Sequence, residues 1–327
     1  MGTLINTKAA LSTIGHAKLA LSAIRYLRQG ALRILMYHNF PADMSLLELQ
    51  CQHIVSHYSP VSLSEVVARK KNWKQTSPNA LAVTVDDGYR DFYLYGYPVF
   101  RKYRIPVTVY LVSDFVDQKF WLWWNRLDYV FEHAAVSSVT FKLPGGDFDS
   151  GPLENRAKRL RAAALLCERL KALSNRDRLR SLDYITKRLN VCIPETPSPE
   201  WQAMNWEEVR EAARNGITFG SHTKTHPILS KIEDSEQIRD EIEVSKRRIE
   251  QELQQPCIHF CYPNGRMSDI GPAALEWIKK MGFVTAVTTE RGLNYSKQDP
   301  FLLRRLGIGP QYPLPYFMAL LAGLKKT

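Results

Sequence analysis

The sequence lacks the features that mark several classes of protein. None of its 327 residues fall in an apolar run approaching the about 18 uninterrupted residues of a membrane-spanning helix. Its first residues contain no compact apolar stretch followed by a small-residue cleavage site, so we expect no secretory signal. We find no internal repeat and no low-complexity tract. With 45% hydrophobic and 24% charged residues, the composition is typical of a globular protein, and we predict a cytoplasmic location.

Cysteine is also scarce. The five cysteines, an odd number without regular spacing, are Cys51, Cys167, Cys192, Cys257 and Cys261. The last two are four positions apart in a predicted strand, which suits neither a zinc site nor a disulfide. We therefore expect reduced thiols, as in a cytosolic protein.

Acidic residues are outnumbered by basic ones, 33 to 44, and residues 1–33 contain five Lys/Arg and no acid. Residues 1–30 are predicted to form a basic amphipathic segment. It is consistent with peripheral contact with an anionic membrane surface, and equally with a helix packed on the domain through its apolar side. The other basic residues match no nucleic-acid recognition signature, so no nucleic-acid partner is expected. Nothing in the sequence specifies an oligomeric state.

Short apolar runs alternate with amphipathic stretches from Arg33 onwards. This alternation predicts parallel strands covered by helices, in either a barrel or a doubly wound sheet. The stretch from about 120 to 204 breaks the rhythm and is predicted to be a mostly helical insertion. Its aromatic residues Trp121, Trp123 and Trp124 either pack the insertion onto the domain or stack against a sugar.

Several polar residues stand where predicted strands end. Asp86 and Asp87 follow "ALAVTV", and His38, His222 and Tyr262 end other strands. The carboxyl ends of parallel strands converge on one face of such folds, where active sites lie. We therefore expect these residues to share one pocket.

Two adjacent carboxylates repel one another unless something offsets their charge. His222 and His226 are four positions apart, and together with one Asp they could hold a single divalent cation, most simply zinc. The cation would relieve the repulsion and leave the second Asp free to accept a proton from water on the metal. The alternative is an acidic helix cap and two unrelated surface histidines.

The segments "TVDDGYRD", "SHTKTH" and "CYPNG" resemble, in order, three motifs of the polysaccharide deacetylases, carbohydrate esterase family four. The resemblance covers roughly residues 31–117 and 205–310. It implies an α/β fold, a distorted (β/α)7-type barrel over residues 31–327 with the insertion at about 120–204. Members of this family are metal-dependent enzymes that remove N-acetyl, and sometimes O-acetyl, groups from glycans.

The resemblance also assigns roles to matching positions. Asp86 corresponds to the general base, and Asp87, His222 and His226 correspond to the metal ligands. Tyr262 corresponds to the residue whose backbone N–H stabilises the tetrahedral oxyanion.

The sequence departs from the common pattern at the general acid, because no histidine follows His259. "LMYHNF" resembles the strand of a family branch with an early "YH", which makes His38 the expected acid. Its alternative role is that of a core histidine bonded to the backbone.

A second departure is that no arginine precedes Tyr262 to brace the base. "FLLRRLGI" resembles the late segment that supplies this arginine in the "YH" branch, so Arg305 is expected in that role, with Arg304 or a surface ion pair as alternatives. The predicted substrate contacts are Tyr89, Pro263 and Asn264, of which Tyr89 could instead only fill space beneath the cleft.

Three hypotheses follow. The first is a metal-dependent deacetylase of an acetylated carbohydrate, either a glycan or a lipid-linked sugar precursor in exopolysaccharide biosynthesis. The second is a catalytically inactive glycan-binding barrel. A phosphoester hydrolase is disfavoured, because such sites usually hold two metals and more carboxylates than this sequence offers.

Overall fold

The computed structural model describes residues 19–68 and 77–324. Parallel strands form a sheet that closes on itself. The strands in this sheet are β1 (Arg33–Tyr37), β2 (Ser59–Pro60), β3 (Ala80–Val85), β4 (Val107–Leu111), β7 (Thr218–Ser221), β8 (His259–Cys261), β9 (Thr285–Arg291) and β10 (Leu303–Gly307). Neighbours run in the order β1, β10, β9, β8, β7, β4, β3, and β3 pairs with β1 to close the barrel. The predicted (β/α)7-type barrel is thus confirmed, and β2 adds a short pairing at the start of β3.

The barrel strands are apolar throughout because both of their faces are covered. All six residues of β3 and all five of β4 are buried, and most of them are β-branched or aliphatic. β1 and β3 pair residue by residue from Arg33 and Leu81 to Tyr37 and Val85. Their ends are therefore level, and the residues that follow them are placed side by side.

Helices cover the outside of the barrel and fill the insertion. They are α1 (Ser45–His57), α2 (Leu63–Ala68), α3 (Tyr97–Lys102), α4 (Ser113–Val116), α5 (Trp123–His133), α6 (Arg156–Lys171), α7 (Asn175–Arg188), α8 (Trp206–Arg214), α9 (Ser235–Leu253), α10 (Met267–Ile270), α11 (Pro272–Lys280) and α12 (Leu314–Leu321). A π-helical turn, Phe92–Gly96, precedes α3, and short 3₁₀ turns occur at Pro199–Trp201 and Leu229–Lys231. None of the helices within the described ranges is long and apolar enough to cross a bilayer.

Local sequence signals account for several of these boundaries. Asn205 caps α8 by accepting a hydrogen bond from the Glu208 N–H, and the Glu208 side chain accepts one from the Asn205 N–H in return. α9 turns its buried isoleucines, Ile238, Ile242 and Ile249, toward the barrel.

The insertion has a hydrophobic core of its own. Buried residues of α5, α6 and α7 cluster with those of a two-stranded antiparallel hairpin, β5 (Thr140–Leu143) and β6 (Gly146–Asp149). The sequence predicted a mostly helical insertion and gave no indication of this hairpin. The division of the chain at residue 30 and at about 120 and 204 stays a prediction.

The basic segment is described only in part, because residues 1–18 lie outside the described residues. Residues 19–27 are helical, with Leu19, Tyr26 and Leu27 largely exposed. Arg28 donates a hydrogen bond to the Ala322 carbonyl, and Arg33 is fully buried and donates to the Leu321 carbonyl. Two of the five basic residues in this region therefore anchor the chain to α12 and the residue after it.

Candidate active site

A cavity of about 440 Å³ opens at the carboxyl ends of the barrel strands. The residues that line it include His38, Asp86, Asp87, His222 and His226, which follow three different strands, β1, β3 and β7. The structure therefore brings the predicted catalytic and metal-binding residues together, as the convergence of parallel strand ends requires.

Asp86 and Arg305 form a buried, two-pronged ion pair. Arg305 Nη1 lies 2.6 Å from Asp86 Oδ1, and Arg305 Nη2 lies 2.7 Å from Asp86 Oδ2. The exposed fractions of the two residues are 2% and 1%. Arg305 also donates to the Thr288 carbonyl at 2.8 Å and to Thr84 Oγ1 at 3.1 Å, so its orientation is fixed.

The choice between Arg305 and Arg304 follows from strand alternation. Leu303, Arg305 and Leu306 of β10 are buried, whereas Arg304 points outward and is exposed. Successive side chains of a strand face opposite sides, so only one of two adjacent arginines can reach the barrel interior. That residue is Arg305, as the sequence favoured.

The ion pair determines the charge of Asp86. Burial alone would raise the pKa of this carboxyl, but the Arg305 guanidinium, helped by His38, outweighs burial and holds the pKa well below its usual range. Asp86 is therefore an anion at neutral pH despite its burial. His38 Nε2 lies 3.6 Å from Asp86 Oδ2, and the His38 side chain is 43% exposed, which does not fit a core histidine.

Asp87, His222 and His226 form the second half of the site. Asp87 Oδ1 is 3.4 Å from His222 Nε2 and 3.6 Å from His226 Nε2, and it is buried without a hydrogen-bond partner in the described part of the chain. His222 Nδ1 lies 2.7 Å from the Cys261 carbonyl oxygen, so its Nε2 is left free to face Asp87. Burial and the neighbouring His222 lower the pKa of His226 to about 3, which keeps this imidazole neutral.

This donor set fits a divalent cation. Ligand atoms that bond zinc tetrahedrally at about 2.0–2.2 Å lie about 3.3–3.6 Å apart, close to the separations that join Asp87 to the two imidazoles. The three donor atoms all lie within 4.8 Å of one another and are buried. A carbonyl partner on the far nitrogen, as His222 has, is usual for a metal-binding histidine. His226 Nδ1 is buried and has no hydrogen-bond partner among the described residues.

A second possible donor set shares His222 with the first. Cys261 Sγ is 3.9 Å from His222 Nε2 and 3.6 Å from Asp86 Oδ2. This set is the poorer one for a cation, because both oxygens of Asp86 are already bonded to Arg305, and Arg305 Nη2 is also 3.2 Å from the sulfur. The sequence interpretation gave Cys261 no part in the site; its position just before Tyr262 was the available signal.

The backbone is strained at several positions of the site. Asp87, Thr223, His226 and Asn264 all have φ between 56° and 71°, in the left-handed region that non-glycine residues seldom adopt. Such conformations persist only where the surroundings enforce them, and they cluster at functional sites. Gly265 follows with φ of 66°, and a Cβ there would come within 2.9 Å of the Thr289 backbone nitrogen.

The expected role of Tyr262 is not supported by the geometry. Its backbone N–H, predicted to stabilise an oxyanion, donates to the Val287 carbonyl oxygen at 3.2 Å because β8 pairs with β9 there. Its hydroxyl donates to the Phe301 carbonyl. Asn264, in contrast, lines the cavity, and its buried Nδ2 has no hydrogen-bond partner within residues 19–68 and 77–324. Pro263 is buried and is not among the described residues that line the cavity.

The insertion supplies one wall of the cavity. Trp124 of α5 packs against His226 with ring centroids 4.6 Å apart, and its Nε1 donates to the Tyr89 hydroxyl at 3.0 Å. Asn125 Nδ2 donates to the same hydroxyl at 2.8 Å, so Tyr89 links the barrel to the insertion. Asp128 also lines the cavity, and burial, together with Glu132, raises its pKa to about 6.

No motif in the sequence pointed to Asp128, because this residue lies in the insertion, far along the chain from the barrel motifs. The first three tryptophans of the insertion differ in position. Trp121 and Trp123 are largely buried, with Trp121 against Tyr129, whereas Trp124 lines the cavity.

A closed parallel barrel with buried carboxylates and histidines at its strand ends places the chain among the barrel hydrolases. The profile of the family described as polysaccharide deacetylase matches residues 74–162 and 188–286, more than half of the chain. The chain belongs to the polysaccharide deacetylase family. It is accordingly a hydrolase of carbon–nitrogen bonds other than peptide bonds.

Individual relatives agree with this assignment. YxkH of Bacillus subtilis (strain 168), which carries a polysaccharide deacetylase name, is 21% identical over 301 residues, covering 90% of this chain and 77% of YxkH. The Streptococcus pyogenes deacetylase PplD, solved in complex with acetate, is 17% identical with a TM-score of 0.57, covering 89% of this chain and 98% of PplD. IcaB from Ammonifex degensii is 15% identical with a TM-score of 0.57, covering 90% and 96%. At these identities the two structures show the shared fold.

Replacing Arg305 by Met leaves the Asp86 carboxylate buried without its counter-charge. We expect Arg305→Met to lower the free energy of unfolding by about 3–5 kcal/mol at pH 7. In the native protein the pKa of Asp86 is below its unfolded value of about 3.9, so its stabilisation is present above that pH and lost as pH falls. In the variant, unopposed burial raises this pKa instead. The loss in stability should therefore shrink as pH is lowered from 7 toward 4.5.

Urea unfolding of both proteins at the two pH values measures this difference. The matched control is Arg304→Met, whose side chain is exposed and whose effect should stay within about 0.5 kcal/mol. If Arg305→Met lowers the free energy of unfolding by the same amount at pH 7 and pH 4.5, the assigned charge of Asp86 is contradicted.

Proposed function

We propose that the protein hydrolyses N-acetyl groups of an acetylated carbohydrate with the help of one divalent cation. The observation that carries this proposal is that the two adjacent carboxylates have different partners. Asp86 is bonded to Arg305, whereas Asp87 Oδ1 is unbonded and faces two imidazoles. Asp87, His222 and His226 would hold the cation.

A bound zinc or similar ion would act as a Lewis acid toward the acetyl carbonyl and would make a nearby water more acidic. Asp86 is the proton acceptor for the attacking water, and Arg305 orients its carboxylate and keeps it anionic. Because its pKa is held low, Asp86 is a weak base, and it suits a water whose acidity has been increased.

His38 is the proton donor to the departing nitrogen. It is partly exposed, lines the cavity, directly follows β1 and lies 3.6 Å from Asp86 Oδ2 through its Nε2. In the overall reaction the water oxygen bonds to the acetyl carbon and its proton passes to Asp86. The C–N bond then breaks, the nitrogen takes a proton from His38, and a free amine and acetic acid, which ionises to acetate in solution, leave. Transfer of the proton from Asp86 to His38 restores both groups.

The donor for the developing oxyanion is the side-chain amide of Asn264. Its Nδ2 is buried in the cavity wall without a partner, whereas the N–H of Tyr262 is bonded to Val287. A donor already fixed in place costs no reorganisation when charge develops. Tyr89 shapes the cavity with Trp124 and contributes to substrate binding through its ring.

Acetate release from N-acetylglucosamine oligomers tests the function. We expect the protein to release acetate, to lose this activity after chelator treatment, and to regain it on addition of Zn²⁺. Asp86→Asn should reduce kcat by about 10²–10⁴-fold because the proton acceptor is lost. Asp147→Asn, an exposed acid in β6, is the matched control and should leave kcat unchanged.

A protein that binds the oligomers when loaded with metal and releases no acetate would be an inactive glycan-binding barrel, and the proposal would fail. Release of acetate that persists after the metal has been removed would contradict the role of the cation.

Removing the Asn264 amide tests the oxyanion donor. Asn264→Gly deletes the side chain at a position whose φ of 56° glycine tolerates. We expect kcat to fall by about 10²–10³-fold with little change in KM, because the lost bond forms only in the transition state. Asn190→Gly, exposed and with φ of 52°, is the control of equal backbone geometry. An unchanged kcat in Asn264→Gly would show that another donor stabilises the oxyanion.

We further propose that the substrate is a lipid-linked or nucleotide-linked precursor met at the inner face of a membrane. Supporting this are the basic residues Lys8, Lys18 and Arg25 and the exposed Leu19, Tyr26 and Leu27. Co-sedimentation with lipid vesicles measures binding of the protein to a membrane. This binding should require anionic lipid and should weaken in the double variant Lys8→Gln/Lys18→Gln. Equal binding by the control pair Lys187→Gln/Lys297→Gln and the test pair would contradict it.

A further inference from the structure

A second cavity, of about 500 Å³, lies on the other side of the wall that bounds the first. Trp123 lines the second cavity, whereas the next residue, Trp124, lines the first. Likewise, Thr225 lines the second cavity and the next residue, His226, lines the first. The two cavities are therefore distinct but adjacent, and residues of α5 and of the loop after β7 separate them.

Several hydrogen-bond donors of residues that line the second cavity have no acceptor among the described residues. Arg178 of α7 is 2% exposed, and its Nε and Nη1 are buried without a hydrogen-bond partner. Its Nη2 donates to Asn175 Oδ1 at 2.5 Å. Trp123 Nε1 and Arg126 Nε are buried and unpartnered in the same way, although Arg126 Nη2 reaches Asp183 at 2.8 Å.

No described carboxylate forms an ion pair with Arg178. Burial lowers the pKa of this guanidinium to about 10, so it remains charged at neutral pH. A buried, unpaired guanidinium is costly, and its planar fork of N–H groups matches the two oxygens of a carboxylate or phosphate. The Glu241 carboxylate favours the charge of Arg178 from a distance, but no described carboxylate binds the guanidinium directly, so an oxyanion could occupy that place.

The rest of the cavity is aromatic and apolar. The Trp123 ring lies under Arg178, with 5.1 Å from Arg178 Cζ to the ring centroid. Phe120 and Trp121 add further aromatic surface, and Leu179, 51% exposed, borders the cavity. Flat aromatic surface beside a few polar groups is suited to the apolar face of a sugar ring.

We propose that the second cavity binds a negatively charged saccharide unit, with its carboxylate or phosphate held by Arg178 and its ring packed against the aromatic wall. The assignment of a saccharide rests on the proposed function, since the adjacent cavity would hold the acetylated sugar. The cavity is a specificity site: it selects carbohydrates that carry an anionic group near the unit to be deacetylated.

Isothermal titration of the full chain with three probes tests this proposal. The probes are D-glucuronic acid, D-glucose 6-phosphate and neutral D-glucose. Binding of either charged sugar should be at least about tenfold tighter than that of glucose, because the bidentate contact to Arg178 is available only to them. Whichever charged sugar binds more tightly identifies the anion as carboxylate or phosphate.

Arg178→Gln should weaken binding of the charged sugar at least about tenfold. Arg180→Gln, an exposed arginine two positions along α7, is the matched control and should bind as the native protein does. Thermal unfolding of the native protein adds a measurement that does not depend on any variant: the charged sugar should raise Tm and glucose should not.

Three results would overturn the proposal. They are equal binding of glucose and the charged sugars, unchanged binding by Arg178→Gln, and binding of acetate or inorganic phosphate as tight as that of the sugars. All are binding measurements, so they are independent of acetate release. A protein that releases no acetate but binds the charged sugars would refute the proposed function alone.

Discussion

The buried ion pair between Asp86 and Arg305 is the interaction on which the rest of the site depends. Two neighbouring carboxylates at the end of β3 cannot both remain charged and buried without counter-charges. Arg305 binds both oxygens of Asp86, so the first carboxylate is neutralised from within the barrel. Asp87 is then left with an oxygen that has no hydrogen-bond partner among the described residues and that faces His222 and His226, and under the proposed function a cation would offset its charge.

Barrel closure is what makes this pairing possible. Asp86 follows β3 and Arg305 lies on β10, and β1 lies between these two strands and pairs with both. The two residues are 219 positions apart in the chain. The insertion completes the site from outside by placing Trp124 against His226 and bonding Tyr89, so the barrel supplies the charged groups and the insertion supplies the wall.

Much of the fold and part of the site could be predicted from sequence because they follow local rules. Apolar runs ending in polar residues predicted strands whose ends meet, and this brought Asp86, Asp87, His222 and His226 together correctly. Three features could not be predicted. The bond from the Tyr262 N–H to Val287 depends on sheet pairing, and the place of Asp128 depends on how the insertion packs. Whether Arg178 finds an ion-pair partner among the described residues depends on which side chains surround it in the folded chain.

The central claim is that the two carboxylates have different tasks, one toward the proton and one toward the cation. Titration of Zn²⁺ into the metal-free protein and into Asp86→Asn and Asp87→Asn tests it most directly. The account predicts one bound ion in the native protein and in Asp86→Asn, and loss of that ion in Asp87→Asn. Zinc binding that survives in Asp87→Asn, or that disappears in Asp86→Asn, would contradict it.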